Sequence, residues 1–245
     1  METALITGAA HGLGACMAEH AAKCGYRVGV LDLKLDEAQA VADKIGGVAL
    51  EADVTDVDAV DKALERLGDT PTVLINNAGI VRIGPLLEHS IEDFRLVTDI
   101  NLNSVFIVAR AVAQRMKAAD GGSIINLASI NAFNPSPSCG AYAAAKAGVV
   151  ALTKQMAMEW GEYNIRVNSI APGFIDSGMS TPFYKVQKIR DMRSNAVPVK
   201  RLGTADDIAN CAMFLASDAS SYISGENITV DGGILDSVLM QIPRA

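Results

Sequence analysis

The stretch Thr7-Gly8-Ala9-Ala10-His11-Gly12-Leu13-Gly14 decides the fold of this chain, because it joins an apolar run to an amphipathic segment. Ala4–Thr7 before it has the short apolar character of a buried strand, and Leu13–Cys24 after it has helical periodicity. Glycines at such a turn let the backbone approach a pyrophosphate, whose charge the helix N-terminus favours. We therefore predict a dinucleotide-binding turn, the alternative being a glycine-rich turn without a ligand. Its candidate contacts are Gly8, His11, Gly12, Leu13 and Gly14.

The same alternation of short apolar runs and longer amphipathic segments continues along the chain. Strands separated by helices of this length imply βαβ units and a parallel sheet that is covered on both faces. The predicted strands are Ala4–Thr7, Arg27–Leu31, Val48–Glu51, Val73–Asn76, Gly122–Leu127, Arg166–Ile170 and Asn227–Val230. The predicted helices are Leu13–Cys24, Asp36–Ile45, Val57–Leu67, Ile91–Ala118, Tyr142–Trp160 and Ala205–Ala216.

Domain organisation follows from the absence of a linker or a break in composition. We predict an α/β fold, a single-domain Rossmann-type doubly wound parallel sheet flanked by helices, over residues 1–245. Residues 174–199 carry no strand pattern, and we predict a short helical substrate-loop insertion there, which would act as a lid.

Composition and charge argue against several classes of protein. The formal net charge of −7, without a run of Lys or Arg, argues against a nucleic-acid partner. No apolar stretch is expected to span a bilayer, and the first strand begins too early for a cleavable signal. The four cysteines lack metal-ligand spacing, so we interpret them as reduced thiols of a cytoplasmic protein and predict no metal site.

Asp32 ends the second predicted strand, twenty residues after Gly12. A carboxylate there can accept hydrogen bonds from ribose hydroxyls and repel a 2′-phosphate, which favours NAD(H) over NADP(H). The alternative is a helix-capping aspartate, a role for which Asp36 is better placed. Lys34 and His11 complicate the preference, since a cation near the ribose would tolerate a phosphate.

Two further strand ends carry candidate cofactor contacts. Asp53 can accept a hydrogen bond from an adenine amino group, and Val54 offers an apolar backing. Asn77, Ala78 and Gly79 follow the fourth strand at the carboxyl edge, where open α/β sheets bind ligands. The small residues allow close approach of the backbone, although asparagines at a strand end are also ordinary turn formers.

Tyr142 and Lys146 lie one helical turn apart in an Ala-rich segment. Positions i and i+4 share a helix face, so the Lys146 ammonium can lie beside the phenol. A nearby cation favours phenolate, and we expect it to lower the pKa of Tyr142 from its usual value of about 10. A serine or asparagine could then hold a carbonyl oxygen while Tyr142 gives or takes a proton. The alternative is an ordinary pair on a helix surface.

Taken in order, these features resemble the short-chain dehydrogenase/reductase family over essentially the whole chain. The resemblance rests on Thr7–Gly14, Asp53-Val54, Asn76–Gly79, Asn101, Ser129, Tyr142 with Lys146, Asn168, Pro172-Gly173 and Gly225–Gly233. Val167–Asp176 and Ala216–Gly225 are most similar to segments of β-ketoacyl-carrier-protein reductases. Many sugar, polyol and cyclic-alcohol dehydrogenases share those segments, so the substrate stays open.

The resemblance implies a catalytic tetrad of Asn101, Ser129, Tyr142 and Lys146. Ser129 would hydrogen-bond the substrate oxygen, and Tyr142 would be the base in alcohol oxidation or the acid in ketone reduction. Lys146 would lower the pKa of Tyr142 and bind the nicotinamide ribose, and Asn101 would hold a water that relays protons. Each role also has a purely structural alternative. Asn101 could cap a kinked helix, Ser129 could end a strand, and Lys146 could be a solvated charge on a helix.

The loop after Pro172-Gly173 departs from the family pattern. Relatives usually carry a threonine there that contacts the nicotinamide carboxamide, whereas this chain continues as Phe174-Ile175-Asp176-Ser177. We expect Ser177 and the backbone of Ile175 to make that contact, beside Pro172 and Gly173. The predicted substrate contacts are Ser129, Asn131, Cys139, Tyr142, Phe174, Met179 and Phe183. A largely apolar pocket is predicted from Met179, Phe183, Tyr184, Ile130 and Phe133.

The sequence thus predicts an NAD(H)-dependent dehydrogenase that interconverts a secondary alcohol and a ketone, with a hydrophobic, cyclic or aromatic alcohol as substrate. The alternatives are an NADPH-dependent β-ketoacyl-carrier-protein reductase and a catalytically silent nucleotide-binding scaffold. The resemblance implies a homotetramer, and the apolar tail Ile234–Met240 supports oligomerisation unless it packs on its own subunit.

Overall fold

The computed structural model describes residues 1–242 and contains a parallel β-sheet. Its strands are β1 (Thr3–Thr7), β2 (Arg27–Asp32), β3 (Val48–Glu51), β4 (Val73–Asn76), β5 (Gly122–Leu127), β6 (Ile165–Pro172) and β7 (Asn227–Val230). Within these described residues the seven strands form one sheet in the order β3-β2-β1-β4-β5-β6-β7, and every neighbouring pair is parallel. The predicted doubly wound, single-domain α/β fold is confirmed.

Helices connect the strands on both faces of the sheet. They are α1 (Gly12–Lys23), α2 (Leu35–Ile45), α3 (Val57–Leu67), α4 (Ile91–Thr98), α5 (Ser104–Ala118), α6 (Tyr142–Trp160), α7 (Thr181–Tyr184), α8 (Gln187–Ala196) and α9 (Ala205–Ala216). A π-helical segment, Asp99–Asn103, joins α4 to α5. Short 3₁₀ turns occupy Ile130–Ala132, Gly161–Tyr163, Gly178–Ser180, Asp218–Ser220 and Val238–Gln241.

The sheet separates two apolar cores because side chains alternate between its faces. Ile6 of β1 packs in the core formed with α1, α2 and α9, whereas the preceding Leu5 packs in the core with α3, α5 and α6. Both side chains are fully buried. Each such burial contributes about 1.5–3 kcal/mol, which explains why the strands are apolar on both faces.

The order of the strands reverses at β1, whose neighbours are β2 on one side and β4 on the other. The chain crosses to α1 after β1 and to the other face after β4, so their carboxyl ends leave a crevice between them. The candidate site residues that follow β1, β2, β4 and β5 therefore converge at one edge of the sheet.

The helical stretch Ile91–Ala118 is long and apolar. By length and composition alone its 28 residues could cross a membrane, and 50% of its most apolar window is buried inside the protein. Val108, Val112 and Met116 of α5 lie in the core against the sheet. The apolar composition of this helix is therefore explained by burial in the core.

The segment 174–199 contains α7 and α8 and lies over the dinucleotide turn. A Cβ at Gly12 would lie only 2.7 Å from the Cα of Gly178, so the segment touches the turn directly. Asp176 and Arg190 form an ion pair that fixes α8 to the loop after β6. We call residues 174–199 the lid segment.

Candidate active site

A cleft of about 780 Å³ opens at the carboxyl edge of the sheet, within the size range of ligand pockets. Almost all of the predicted site residues line it. They are Gly8, His11, Gly12, Leu13, Asp32, Asp53, Val54, Asn77, Ala78, Gly79, Ser129, Asn131, Cys139, Tyr142, Lys146, Pro172, Gly173, Phe174, Ile175, Ser177, Met179 and Phe183. Gly14 and Asn101 lie behind its wall.

The turn after β1 has the backbone shape that its glycines predict. Gly8 and Gly12 have φ angles of 61° and 56°, in the left-handed region that favours glycine. Gly14 does not line the cleft, and its role as a cofactor contact stays a prediction. A Cβ at Gly14 would lie 2.1 Å from the carbonyl oxygen of Gly8, so this glycine permits close packing between α1 and the turn.

Asn77 fastens the end of β4 to the same turn. Its Nδ2 donates to the carbonyl oxygens of Thr7 at 3.0 Å and Gly8 at 2.9 Å. The Thr7 hydroxyl in turn accepts from the backbone N–H groups of Asn77 and Ala78, both at 3.0 Å. Asn77 therefore holds the floor of the cleft in one geometry.

The carboxylate of Asp32 lies at the cleft and is held by backbone donors. Oδ2 accepts from the N–H of Ala10 at 3.0 Å and Oδ1 from that of Leu33 at 2.8 Å. The N-cap of α2 is Lys34, and its side chain makes no capping hydrogen bond. Asp36 lies in the first turn, so the alternative that it caps this helix is wrong.

Glu37 binds His11 and Lys34, the two basic residues that complicate the choice of cofactor. Its Oε2 lies 2.8 Å from Nε2 of His11, and its Oε1 accepts from Nζ of Lys34 at 2.9 Å. Hydrogen bonds from Lys34 and His11 lower the pKa of Glu37, which keeps the carboxylate ionised. The sequence-based reasoning missed Glu37, although its position three residues after Lys34 on a helix was a usable signal.

Asp53 follows β3, next to the strand that ends at Asp32, and its Oδ1 accepts from both the N–H and the hydroxyl of Thr55 at 2.9 and 2.7 Å. Val54 beside it is 7% exposed and gives this part of the cleft an apolar surface. The remaining lone pairs of the Asp53 carboxylate are available to a ligand.

Ser129 and Tyr142 meet at the inner wall of the cleft. Burial raises the pKa of Tyr142, while a hydrogen bond with Ser129 acts to lower it. The expected lowering of this pKa by Lys146 is therefore not what the structure shows, because desolvation of the phenolate outweighs other effects here. Ser129 Oγ also accepts from the N–H of Asn131 at 3.1 Å, which fixes its rotamer.

Lys146 is buried one turn along α6, at 3% exposure. Its Nζ donates to the carbonyl oxygen of Leu127 at 2.7 Å and lies 5.7 Å from the ring centroid of Tyr142. Burial lowers the pKa of Lys146 from 10.5 to about 8. The side chain is thus a proton-exchanging group close to neutral pH, beside the phenol.

Asn101 lies in the π-helical segment, fully buried behind Gly79. Its Nδ2 donates to the carbonyl oxygens of Ile80 and Val97, both at 2.9 Å. Its Oδ1 is buried without a hydrogen-bond partner among residues 1–242. Such an atom costs stability unless a water or ligand satisfies it, and π-helical segments frequently mark functional sites.

The lid segment closes the outer side of the cleft with Phe174, Met179 and Phe183. Arg193 of α8 also lines the cleft, so a cation lies among its largely apolar walls. The sequence-based reasoning missed Arg193. Its spacing from Arg190 places both on one side of α8, but nothing in the sequence indicated which side faces the cleft.

The side chains of Cys16, His20 and Asp206 meet outside the cleft, with potential ligand atoms within 4.8 Å of one another. Sequence spacing could not show this cluster, because Asp206 comes from α9. His20 Nε2 lies 2.8 Å from the Asp206 carboxylate, and burial and Asp206 raise the pKa of Cys16 to about 11. The thiol is protonated at neutral pH, and the cluster acts as a contact between α1 and α9.

Comparison with known proteins is consistent with this site. A family model described as enoyl-(acyl carrier protein) reductase matches residues 8–235. The chain is 38% identical to a 2-dehydro-3-deoxy-D-gluconate 5-dehydrogenase of Formosa agariphila, over 96% of this chain and 93% of the relative. It is 40% identical to a trans-4-hydroxycyclohexanecarboxylate dehydrogenase of Sinomonas cyclohexanicum, over 95% of this chain and 92% of the relative.

A solved structure has the same fold over nearly its whole length. It is a gluconate 5-dehydrogenase from Burkholderia cenocepacia in complex with NADP and tartrate, which superposes with a TM-score of 0.92. The two chains are 32% identical, over 97% of this chain and 96% of that one. With the ordered motifs at the cleft, these matches identify the chain as an oxidoreductase of the short-chain dehydrogenase/reductase family.

Proposed function

We propose that the protein is an NAD-dependent oxidoreductase that interconverts a secondary alcohol and a ketone, with Tyr142 as general acid and base. The observation that carries this proposal is the position of Tyr142. It is hydrogen-bonded to Ser129 and beside the buried Lys146, at the wall of the one cleft where the dinucleotide turn also ends.

The residues of the cleft fit a nicotinamide dinucleotide. The left-handed glycines Gly8 and Gly12 leave no side chain between the backbone and a pyrophosphate at the N-terminus of α1. Asp32 would hold the adenosine ribose, Asp53 and Val54 the adenine, and Ile175 and Ser177 the carboxamide. When bound, the nicotinamide supplies the hydride acceptor or donor.

The chain's own residues manage the substrate oxygen and one proton. Ser129 donates a hydrogen bond to that oxygen, and Tyr142 takes the hydroxyl proton in oxidation or returns it in reduction. Lys146, whose pKa is about 8, exchanges protons with Tyr142 and stabilises its phenolate. The unpartnered Oδ1 of Asn101 accepts from a water that passes the proton out from Lys146.

Charge at the ribose end of the cleft supports NAD(H) over NADP(H). Asp32 would repel a 2′-phosphate, and Glu37 already engages both His11 and Lys34, the nearby cations that would attract one. The NADP in the solved relative from Burkholderia cenocepacia favours NADP(H) as the cofactor, which the second candidate, an NADPH-dependent ketoacyl reductase, would require. A specificity constant that is higher for NADP(H) than for NAD(H) would overturn the assignment of NAD(H), and turnover of a ketoacyl substrate with NADPH would select that candidate.

The substrate panel for this test follows from the names of the relatives, one acting on a deoxy sugar acid and one on a hydroxycyclohexanecarboxylate. Cyclic and aliphatic secondary alcohols, polyols and hydroxy acids are offered with NAD and NADP, and NADH formation is followed by absorbance. A protein that binds NADH but oxidises none of them is a silent scaffold.

Tyr142→Phe tests the proton-transfer role on any alcohol that is turned over. We expect kcat to fall by about 10²–10⁴-fold, with unchanged affinity for NADH. The matched control is Tyr222→Phe, because Tyr222 is fully exposed and lies outside the cleft. Substantial turnover by Tyr142→Phe would overturn the proposal.

We propose a homo-oligomer, with a tetramer as the expected form, in the cytoplasm. Exposed apolar side chains support self-association, because a stable monomer rarely exposes large apolar patches. Leu86, Leu87 and Ile91 are exposed before and on α4, and Val238, Leu239 and Met240 are exposed near the end of the described chain. Light scattering of the purified protein measures the assembly, and a monomer would remove this proposal.

A further inference from the structure

We propose that Arg193 binds a carboxylate of the substrate, so that the preferred substrates are secondary alcohols or ketones that carry an acid group. This inference rests on the proposed function, because it assigns the outer part of the same cleft. It names a recognition residue on the lid segment, away from the proton-transfer residues at the inner wall.

The guanidinium of Arg193 is held by aromatic groups. It lies 4.9 Å from the ring centroid of Phe174, 5.4 Å from that of Tyr184 and 5.8 Å from that of Phe183. Its Nη1 also donates to the hydroxyl of Tyr184 at 3.1 Å. Rings stacked on a guanidinium fix its plane without using all of its N–H groups, so the remaining donors can bind a ligand in the plane.

Arg193 lacks an acceptor of full charge, in contrast to His11 and Arg190, and it shares this lack with the buried Lys146. Lys146 donates to the carbonyl oxygen of Leu127, and His11 is bound to Glu37. Arg190, on the same helix, pairs with Asp176. Among residues 1–242, no carboxylate forms an ion pair with Arg193.

A partly buried guanidinium without a carboxylate partner is most favourably satisfied by an anion from outside. The rings of Phe174 and Phe183 line the cleft with Arg193, so water is partly excluded from its neighbourhood. A carboxylate matches the two parallel N–H donors of a guanidinium, which makes a bidentate pair stronger than a neutral hydrogen bond. The alternative anion is a phosphate of the cofactor, which binds the same donors.

The experiment measures the binding of two ligands that differ only in charge, cyclohexanecarboxylate and cyclohexanecarboxamide. Neither carries an alcohol, so turnover is not needed. Calorimetric titration is performed on the full-length protein with and without NADH, and on Arg193→Met and Arg193→Lys. Lys188→Met is the matched control, because Lys188 is an exposed cation on the same helix and does not line the cleft.

We expect the carboxylate to bind at least about tenfold more tightly than the amide, equivalent to about 1.4 kcal/mol. The ratio should fall to about one in Arg193→Met, persist in part in Arg193→Lys and stay unchanged in Lys188→Met. Equal binding of the two ligands by the unaltered protein, or no binding of the carboxylate, overturns the proposal. An unchanged ratio of carboxylate affinity to amide affinity in Arg193→Met also overturns it.

Two outcomes separate this inference from binding of a cofactor phosphate and from failure of the proposed function. If Arg193→Met weakens NADH binding and leaves the acid-to-amide ratio intact, the guanidinium serves a cofactor phosphate and the proposal is overturned. If the unaltered protein binds no NADH, the proposed function fails, while the titration without NADH still decides whether Arg193 selects a carboxylate.

Discussion

Gly79 and Asn101 touch so closely that a Cβ at Gly79 would lie 2.6 Å from Oδ1 of Asn101. The same Cβ would lie 3.7 Å from Nζ of Lys146. Gly79 therefore leaves the space through which the unpartnered oxygen of Asn101 faces the cleft, next to the buried amine. The proposed proton path depends on a position that carries no side chain.

Gly79→Ala tests this path. The added methyl group must displace Asn101 or the π-helical segment, and we expect kcat to fall by up to about 10²-fold, because a displacement of about 1 Å near the chemistry has this effect. NADH affinity and steady-state rates are measured together. Gly161→Ala is the control, since a Cβ there meets nothing within 4 Å and its φ of −59° suits alanine. An unimpaired Gly79→Ala enzyme would contradict the proposed role of Asn101.

Glu37→Gln should relax the cofactor preference. The change frees His11 and Lys34 from a charged partner, so both can attract a 2′-phosphate, and we expect kcat/KM for NADP(H) to rise relative to NAD(H) by about tenfold, or about 1.4 kcal/mol. The gain should shrink at high salt, because these groups are exposed.

The control for Glu37→Gln is Asp36→Asn, which removes an equal charge from the first turn of the same helix. Asp36 is exposed, and neither His11 nor Lys34 is hydrogen-bonded to it. If both substitutions shift the preference equally, the effect is one of net charge and not of the two released cations.

Lys146 should make the stability of the cofactor-free protein depend on pH. Its pKa is lowered from 10.5 to about 8, so the unfolded chain binds the proton more tightly than the folded protein. Between these pH values the free energy of unfolding must rise with pH, by up to about 3 kcal/mol at 1.36 kcal/mol for each pKa unit. Urea unfolding from pH 7.5 to 10 should show this rise relative to Lys146→Met. If the difference in the free energy of unfolding between the unaltered protein and Lys146→Met does not change with pH, a lowered pKa of Lys146 is excluded.

Gly12→Ala should weaken dinucleotide binding through the lid segment as well as the turn. Its Cβ would collide with Gly178 at 2.7 Å, and its φ of 56° adds about 1–2 kcal/mol of backbone strain. We expect the Kd for NADH to rise by more than tenfold. Gly46→Ala isolates the strain, since its φ is 67° and a Cβ there meets nothing within 4 Å. A Kd unchanged in Gly12→Ala would show that contact between lid and turn is not needed for binding.

Much of the fold was predictable because apolar periodicity and length restrict a parallel sheet strongly. The helices α3, α6 and α9 begin and end where the sequence predicts, and so do the strands β3, β4, β5 and β7. β6 is longer than predicted, Ile165–Pro172 instead of Arg166–Ile170. Its extra residues Ile165, Ala171 and Pro172 pair with β5 and β7 through the backbone, and the apolar pattern alone does not mark where such pairing begins and ends.

The parts of the site that escaped prediction depend on tertiary contacts. The direction of the pKa shift of Tyr142 is set by burial, which local spacing to Lys146 cannot reveal. The contact of Glu37 with His11 and the position of Arg193 at the cleft depend on how α2 and α8 pack, which the local sequence does not indicate. The roles of Gly14 and Asn101 behind the wall likewise follow from close packing with Gly8 and Gly79.

The π-helical segment Asp99–Asn103 sets the angle, about the helix axis, between the side chains of α4 and those of α5. Deleting a single residue from the regular α-helix on either side of it would rotate α4 relative to α5 by about 100°. Either Val105 and Val108 would leave the core or Asn101 would turn away from Gly79. Insertions and deletions in this helix are therefore constrained by angle even though its N-terminal half is largely solvent-exposed.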